Sequence, residues 1–263
     1  MADMKRGAHF GDAKALLPDR RQGCQARASA GLAMPVASMH NAPELKLRRP
    51  MMPTLSPPSP SGRAQRTVQI NTFGCRVNKY DEALLRGELV ARGYALSEPG
   101  ESFDTVILNT CTVTGAADQA TRRLVRRLRR DHPDATLVVT GCYAEVAGPR
   151  LARELEVDLV VPNRDKPDLV NRLDAHFGFD VCDVPAIDPI PDPGRHTRFF
   201  FKVQEGCDVR CAFCIIPDAR GTSRSLPPDD VVRTVERAVA RGHREVILAG
   251  IHLGGYGRDY PLV

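Results

Sequence analysis

From Thr67 onward, short runs of β-branched residues alternate with longer stretches in which apolar side chains recur every three or four positions. A repeat of two sends alternate side chains to opposite faces of a strand, and a repeat near 3.6 gathers them on one face of a helix. Residues 68–72 (VQINT), 105–109 (TVILN), 136–140 (TLVVT) and 158–161 (DLVV) are therefore predicted strands. Residues 80–92, 118–130, 149–155 and 166–177 are predicted helices. Strands separated by helices pair in parallel, so residues 66–180 are expected to form an α/β domain with a doubly wound parallel sheet.

Four prolines in residues 184–194 (VPAIDPIPDPG) interrupt both kinds of pattern, and residues 181–194 read as a linker. A second unit, 195–263, opens with a strand at 198–204 (RFFFKVQ), a helix at 228–241 and a strand at 245–249 (EVILA). Two strands are too few for an independent sheet-and-helix layer, so this unit is expected to be a truncated piece. Residues 1–62 show no periodicity, and the proline-rich 50–60 (PMMPTLSPPSP) suits neither helix nor sheet; the tail is expected to be disordered. A targeting peptide, a basic arm and a start codon misplaced upstream of Met51 or Met52 are the readings open for it.

Composition changes this picture in two places. The net charge of +5 lies entirely in the tail, where nine Lys or Arg face four Asp or Glu; the rest of the chain holds 28 of each sign, so charge alone argues for no partner. No apolar run approaches the ~20 residues that cross a bilayer and no export signal opens the chain, so a cytoplasmic, reducing setting is expected. There, eight cysteines point to metal or redox chemistry more than to disulfides.

Six of those cysteines form two sets of three. Cys207, Cys211 and Cys214 are spaced C-x3-C-x2-C directly after a predicted strand, so one short loop can wrap three thiolates around a cluster. An iron–sulfur cube has four irons, and three thiols leave one open to a small molecule. A zinc knuckle is the alternative, but it needs a fourth ligand, and the nearest histidines, His196 and His252, are expected to lie outside the compact loop. Cys75, Cys111 and Cys142 are 36 and 31 residues apart, yet each follows a predicted strand. Loops after parallel strands emerge on one sheet edge, so these three can converge into a second three-thiol site. Buried cysteines acting as small hydrophobes are the plainer reading. Gly74 and Gly141 precede two of them and suit a close turn. Cys24 and Cys182 are given no role.

With these motifs in place, residues 205–225 (EGCDVRCAFCIIPDARGTSRS) resemble the radical S-adenosylmethionine core of the methylthiotransferases. FGCRVNKYDE, LNTCTVTGAADQ and VTGCYAE resemble the three cysteine motifs of that family's N-terminal domain, in order. The likeness runs from about Thr67 to Tyr260. IIPDARG and GIHLGGYG, with the upstream wording, are most similar to the MtaB type.

The resemblance implies the truncated start of a radical SAM (β/α) partial barrel in 195–263. It implies two [4Fe-4S] clusters and S-adenosyl-L-methionine as cofactors. Cys207, Cys211 and Cys214 would hold the cluster whose open iron chelates S-adenosylmethionine and cleaves it to a 5′-deoxyadenosyl radical. Cys75, Cys111 and Cys142 would hold an auxiliary cluster that supplies sulfur. The substrate implied is tRNA, in which N6-threonylcarbamoyladenosine at position 37 becomes its 2-methylthio derivative, with an electron donor such as flavodoxin or ferredoxin. A ring C–H of adenine has no useful acidity, which is why a radical is needed. Phe213 could shield the cluster or simply fill core. Gly250, Gly254 and Gly255 would let backbone approach the cofactor, or are turn residues. No catalytic residue is assigned beyond the cluster ligands.

The helix segment RRLVRRLRR offers Arg122, Arg123, Arg126, Arg127, Arg129 and Arg130 either to tRNA phosphates or to solvent. The family's barrel and its C-terminal RNA-binding module continue past residue 263, so transferase activity of this chain alone is in doubt. The rival readings are a methylthiotransferase for isopentenyl-adenosine in tRNA or for a ribosomal-protein aspartate, and a non-catalytic iron–sulfur fragment.

Overall fold

Runs such as TVQINT and TVILNT are β-branched at four of six positions, which favours extended backbone, and they become strands of the first sheet. The structure, a computed structural model, describes residues 66–180, 188, 190, 191 and 198–260. The tail 1–62 and most of the 181–194 linker, with Cys24, Cys182 and His196, lie outside the described residues. Those described fall within the unit Thr54–Val263.

The order is β1 (Thr67–Thr72), α1 (Arg76–Ala91), β2 (Ala95–Ser97), β3 (Thr105–Thr110), α2 (Gly115–Asp131), β4 (Thr136–Gly141), α3 (Cys142–Glu154), β5 (Leu159–Pro162), a 3-10 turn at Asn163–Asp168 and α4 (Leu169–His176). All pairings in this sheet are parallel and the strand order is β2-β1-β3-β4-β5. This is a doubly wound arrangement with its topological switch between β1 and β3. Both faces are covered. Leu85 and Leu89 of α1 pack with Leu169, Val170 and Leu173 of α4 on one side, and Val125 and Leu128 of α2 pack with Leu151 of α3 on the other. The central strand β3 is buried along its whole length, as a strand covered on two faces must be.

Three helices start earlier than their apolar periodicity predicts, the second by three residues, at Gly115. The first begins at Arg76, and the third at Cys142 where 149 was expected, so each follows its strand almost at once. Neither has a side-chain cap, and that is why no start signal marks them. The predicted fourth helix divides into the 3-10 turn and α4, and the three-residue β2 was not foreseen.

The second sheet contains β6 (Arg198–Glu205), then α5 (Ile216–Arg220), β7 (Arg224–Ser225), α6 (Pro228–Ala240) and β8 (Glu245–Gly250). Its order is β7-β6-β8, with β8 parallel to β6 and the two-residue β7 antiparallel. Three strands are thus present where two were expected. The extra stability that such a small sheet needs comes from the first domain. Tyr80 of α1 sits with Phe199, Phe201, Val203, Ile190 and Ala238 in one buried cluster, its ring 5.9 Å from that of Phe201. Among the described residues no helix is long and apolar enough to cross a membrane.

Beside this aromatic contact lies a buried ionic network. Asp81 of α1 accepts from Lys166 Nζ at 2.8 Å and from Lys202 Nζ at 2.6 Å, with Arg220 3.8 Å away. Glu205 accepts from Lys202 at 2.7 Å and Arg220 at 2.8 Å. Burial alone would raise the Asp81 carboxyl, but Lys166, Lys202 and Arg220 outweigh it and hold the group well below the usual carboxylate range. Asp81→Asn should therefore cost about 3–5 kcal/mol at neutral pH, because the buried Lys166 ammonium loses its counter-charge and Lys202 keeps only Glu205. A carboxyl depressed in the folded state stabilises above its unfolded value and stops doing so as pH falls through the folded value. Urea titrations should accordingly show the wild-type advantage constant from pH 7 to 5 and shrinking below about pH 4.

Candidate metal centres

The three upstream cysteines sit at the C-terminal ends of β1, β3 and β4, three neighbouring strands beside the switch point. Cys75 is the N-cap of α1 and Cys142 the first residue of α3, so both thiols lie where a helix N-terminus favours negative charge. Register pairs Thr110 with Gly141, which brings the Cys111 and Cys142 loops together. Gly74 brings in the Cys75 loop: it has φ +97°, and a Cβ on it would lie 2.6 Å from Cys111 Cβ and 2.9 Å from its Sγ. Gly141 is as tightly placed, with φ +93° and Thr110 O 2.4 Å from where a Cβ would stand. Cys111 and Cys142 are buried and Cys75 is exposed, and all three are free thiols.

Asn78, fully buried one turn into α1, ties these loops to one another. Its Nδ2 donates to Phe73 O at 2.7 Å and Thr110 O at 3.1 Å, the carbonyls just before the Cys75 and Cys111 turns. Its Oδ1 accepts from Arg220, whose Nε donates to Cys142 Sγ at 3.1 Å. Burial pushes the Cys142 thiol up from its ordinary value, while the nearby Arg220 pulls it down. Residue type and spacing pointed to neither Asn78 nor Arg220. The available signal was the polar Asn78 on the buried face of an amphipathic helix, three residues after Cys75.

The downstream cysteines occupy the loop between β6 and α5. Cys211 is exposed, Cys207 and Cys214 are half-buried, and all are free thiols. The loop is closed by Cys207 N–H donating to Gly221 O at 3.0 Å and Cys214 N–H to Cys211 O at 3.0 Å. Gly206, at φ +70°, leaves no room for a side chain: a Cβ would fall 1.9 Å from Thr222 O. Buried Gln204 braces the base, donating to Gly206 O at 2.7 Å and Ser223 Oγ at 3.0 Å and accepting from His252 N–H at 2.7 Å.

That last bond corrects an expectation. His252 is not remote from the loop; its Nδ1 lies 3.8 Å from Cys207 Sγ, because β8 pairs directly with β6. Gly254 and Gly255 pack against the His252 ring and Gly250 against Gln204 and Leu253, so all three glycines border the cysteine loop. Phe213 is 96% exposed, which overturns its reading as core packing. Two arginines of α2 are engaged by the fold, Arg129 with Asp158 and three backbone carbonyls and Arg122 with the Tyr143 hydroxyl, whereas Arg123, Arg127 and Arg130 bond within their own helix, to Gln119 and Asp131.

Among the described residues no three His, Cys, Asp or Glu side chains are gathered tightly enough for a single metal ion. A cube takes its thiolates at separate corners and needs a wider spread. Thiol-only donor sets, free thiols and close glycine turns suit such a group at both places.

Residues 67–162 match the family described as Uncharacterized protein family UPF0004, and residues 201–258 match the Radical SAM superfamily. The chain is also similar to proteins named threonylcarbamoyladenosine tRNA methylthiotransferase MtaB. Identity is 34% to that of Bacillus subtilis, covering 73% of this chain and 45% of the relative, and 36% to that of Aquifex aeolicus, covering 73% and 49%. These matches support a radical SAM family of the MtaB type for this chain. The chain spans about half the length of these curated relatives. The radical SAM family implies S-adenosylmethionine and a [4Fe-4S] cluster.

Gly141→Ala is expected to destabilise the chain by more than Gly100→Ala, which shares a left-handed φ of +95° but has open space around it. Backbone strain accounts for about 1–3 kcal/mol at either site, and the clash with Thr110 O adds to it only at Gly141. Chemical denaturation of the two variants measures the difference.

Proposed function

We propose that this chain is the cluster-binding portion of a tRNA methylthiotransferase that converts N6-threonylcarbamoyladenosine at position 37 to its 2-methylthio derivative. The observation that carries the reading is two cysteine trios in one MtaB-type chain, each at loops following parallel strands. Cys207, Cys211 and Cys214 would hold the radical SAM cluster, and Cys75, Cys111 and Cys142 an auxiliary cluster. When bound, these groups supply one-electron cleavage of S-adenosylmethionine and sulfur for insertion at an unactivated C–H.

The chain's own residues bind and orient. Gln204 fixes the base of the Cys207 loop, and Gly250 and Gly255 let Leu253, Gln204 and His252 pack closely beside it. Phe213, standing exposed between two cysteines, would exclude water once a cofactor and substrate cover it. An electron donor of the flavodoxin or ferredoxin kind, a tRNA substrate and a cytoplasmic setting complete the proposal.

A second reading gains support from His252. Its Nδ1 beside Cys207 Sγ makes it a candidate fourth ligand for zinc in place of a cluster. Metal analysis separates the two. Anaerobic reconstitution should give about eight irons per chain, and Cys211→Ala about four; zinc in place of iron, or an unchanged iron content in Cys211→Ala, would reject the cluster assignment. Deleting the gene should abolish the 2-methylthio nucleoside in tRNA measured by mass spectrometry. Its persistence there would rule out the tRNA assignment.

A further inference from the structure

Arg220 lies at the C-terminus of the short α5, six residues beyond Cys214, and its side chain is 1% exposed. All parts of its guanidinium fork are engaged. One nitrogen donates to Glu205 Oε1 at 2.8 Å, one to Asn78 Oδ1, and Nε to the sulfur of Cys142 at 3.1 Å. The buried cluster around it holds three cations, Lys166, Lys202 and Arg220, against two carboxylates, Asp81 and Glu205. One positive charge is left over, and the thiol of Cys142 stands against the guanidinium that carries it. A metal-bound cysteine presents a thiolate sulfur, and the guanidinium Nε–H stands 3.1 Å from where that sulfur is held.

We propose that Arg220 is a positioning residue of the auxiliary site, reaching across from the radical SAM half to hold the Cys142 sulfur and to raise the reduction potential of the iron–sulfur group bound there. The inference rests on the auxiliary-cluster reading above. One-electron reduction adds negative charge that is shared by the thiolate sulfurs. An N–H donor and a fixed positive charge at one sulfur stabilise the reduced form more than the oxidised form. Lysine would keep the charge without the planar fork, and methionine would keep the length with neither. Arg220 also ties the loop of the first trio to the segment that follows the second, because its partners Asn78 and Glu205 lie in the two halves.

The test uses the 263-residue chain with Cys207, Cys211 and Cys214 changed to alanine, so that only the auxiliary site is loaded. After anaerobic reconstitution, iron is counted and the midpoint potential is read by EPR-monitored redox titration. The parent should hold about four irons. Arg220→Met should keep the iron and move the potential to more negative values with an altered EPR signal, and Arg220→Lys should move it by less. Glu205→Gln removes the carboxylate that offsets Arg220 and should move the potential the opposite way. An unmoved potential in Arg220→Met would leave Arg220 as a latch between the halves and overturn the proposal. If Arg220→Met does not fold or hold iron, Glu205→Gln decides: an upward shift supports the proposal, and no shift or a downward one overturns it. A parent without iron would remove the auxiliary-cluster reading, and this inference with it. Iron present with unmoved potentials would remove this inference alone.

Discussion

Three cations and two carboxylates are closed into one interface between α1, the 3-10 turn before α4, β6 and α5. Ions of this size lose several kcal/mol each on leaving water, so every member must be matched in place. Asp81 is the centre of that match, held by Lys166 from the first domain and Lys202 from the second. Because Tyr80, one residue earlier on α1, inserts among Phe199 and Phe201, the same helical turn supplies both the apolar and the ionic contact. The two sheets are thereby fixed against each other at the edge where both sets of cysteines emerge.

The sheet order explains why the upstream thiols meet. A chain that leaves β1 for β2 and returns to the other side at β3 opens a crevice above the β1 and β3 ends, and β4 adds its own loop beside it. Loops this crowded have no room for side chains at Gly74 and Gly141, and their carbonyls need a donor that does not come from the sheet. Asn78 provides it for two of the three turns. The downstream loop is solved in the same way by a different amide, Gln204, which also captures the strand end carrying His252. In both places a buried carboxamide, with one acceptor and two donors, joins backbone segments that secondary structure leaves unsatisfied.

Strands β1, β3, β4, β5, β6 and β8 were readable from their apolar and β-branched runs, because a run of four or more such residues is a local property. The three-residue β2 and two-residue β7 were not, since neither is long enough to show a repeat; pairing with neighbours alone makes them strands. The starts of α1 and α3 escaped for another reason. They are set by the turn at Cys75 and by Gly141, where no Ser, Thr or Asp announces a cap. Phe213 reads by type as core packing or as a cluster shield, and its 96% exposure removes the first of these.

The sequence by itself determined the chemistry on offer: six thiols in two sets of three, their places after strands, and the alternation that forces those strands to be parallel. These are consequences of residue type and short-range spacing, which the chain carries wherever it is read. Only the tertiary structure decided which groups face those thiols. Arg220 meets Cys142 across 78 residues, Lys202 meets Asp81 across 121, and His252 meets Cys207 across 45. Such partners are chosen by how two sheets pack and by the cost of leaving a charge unpaired once water is gone, and neither is written in any local stretch of the chain.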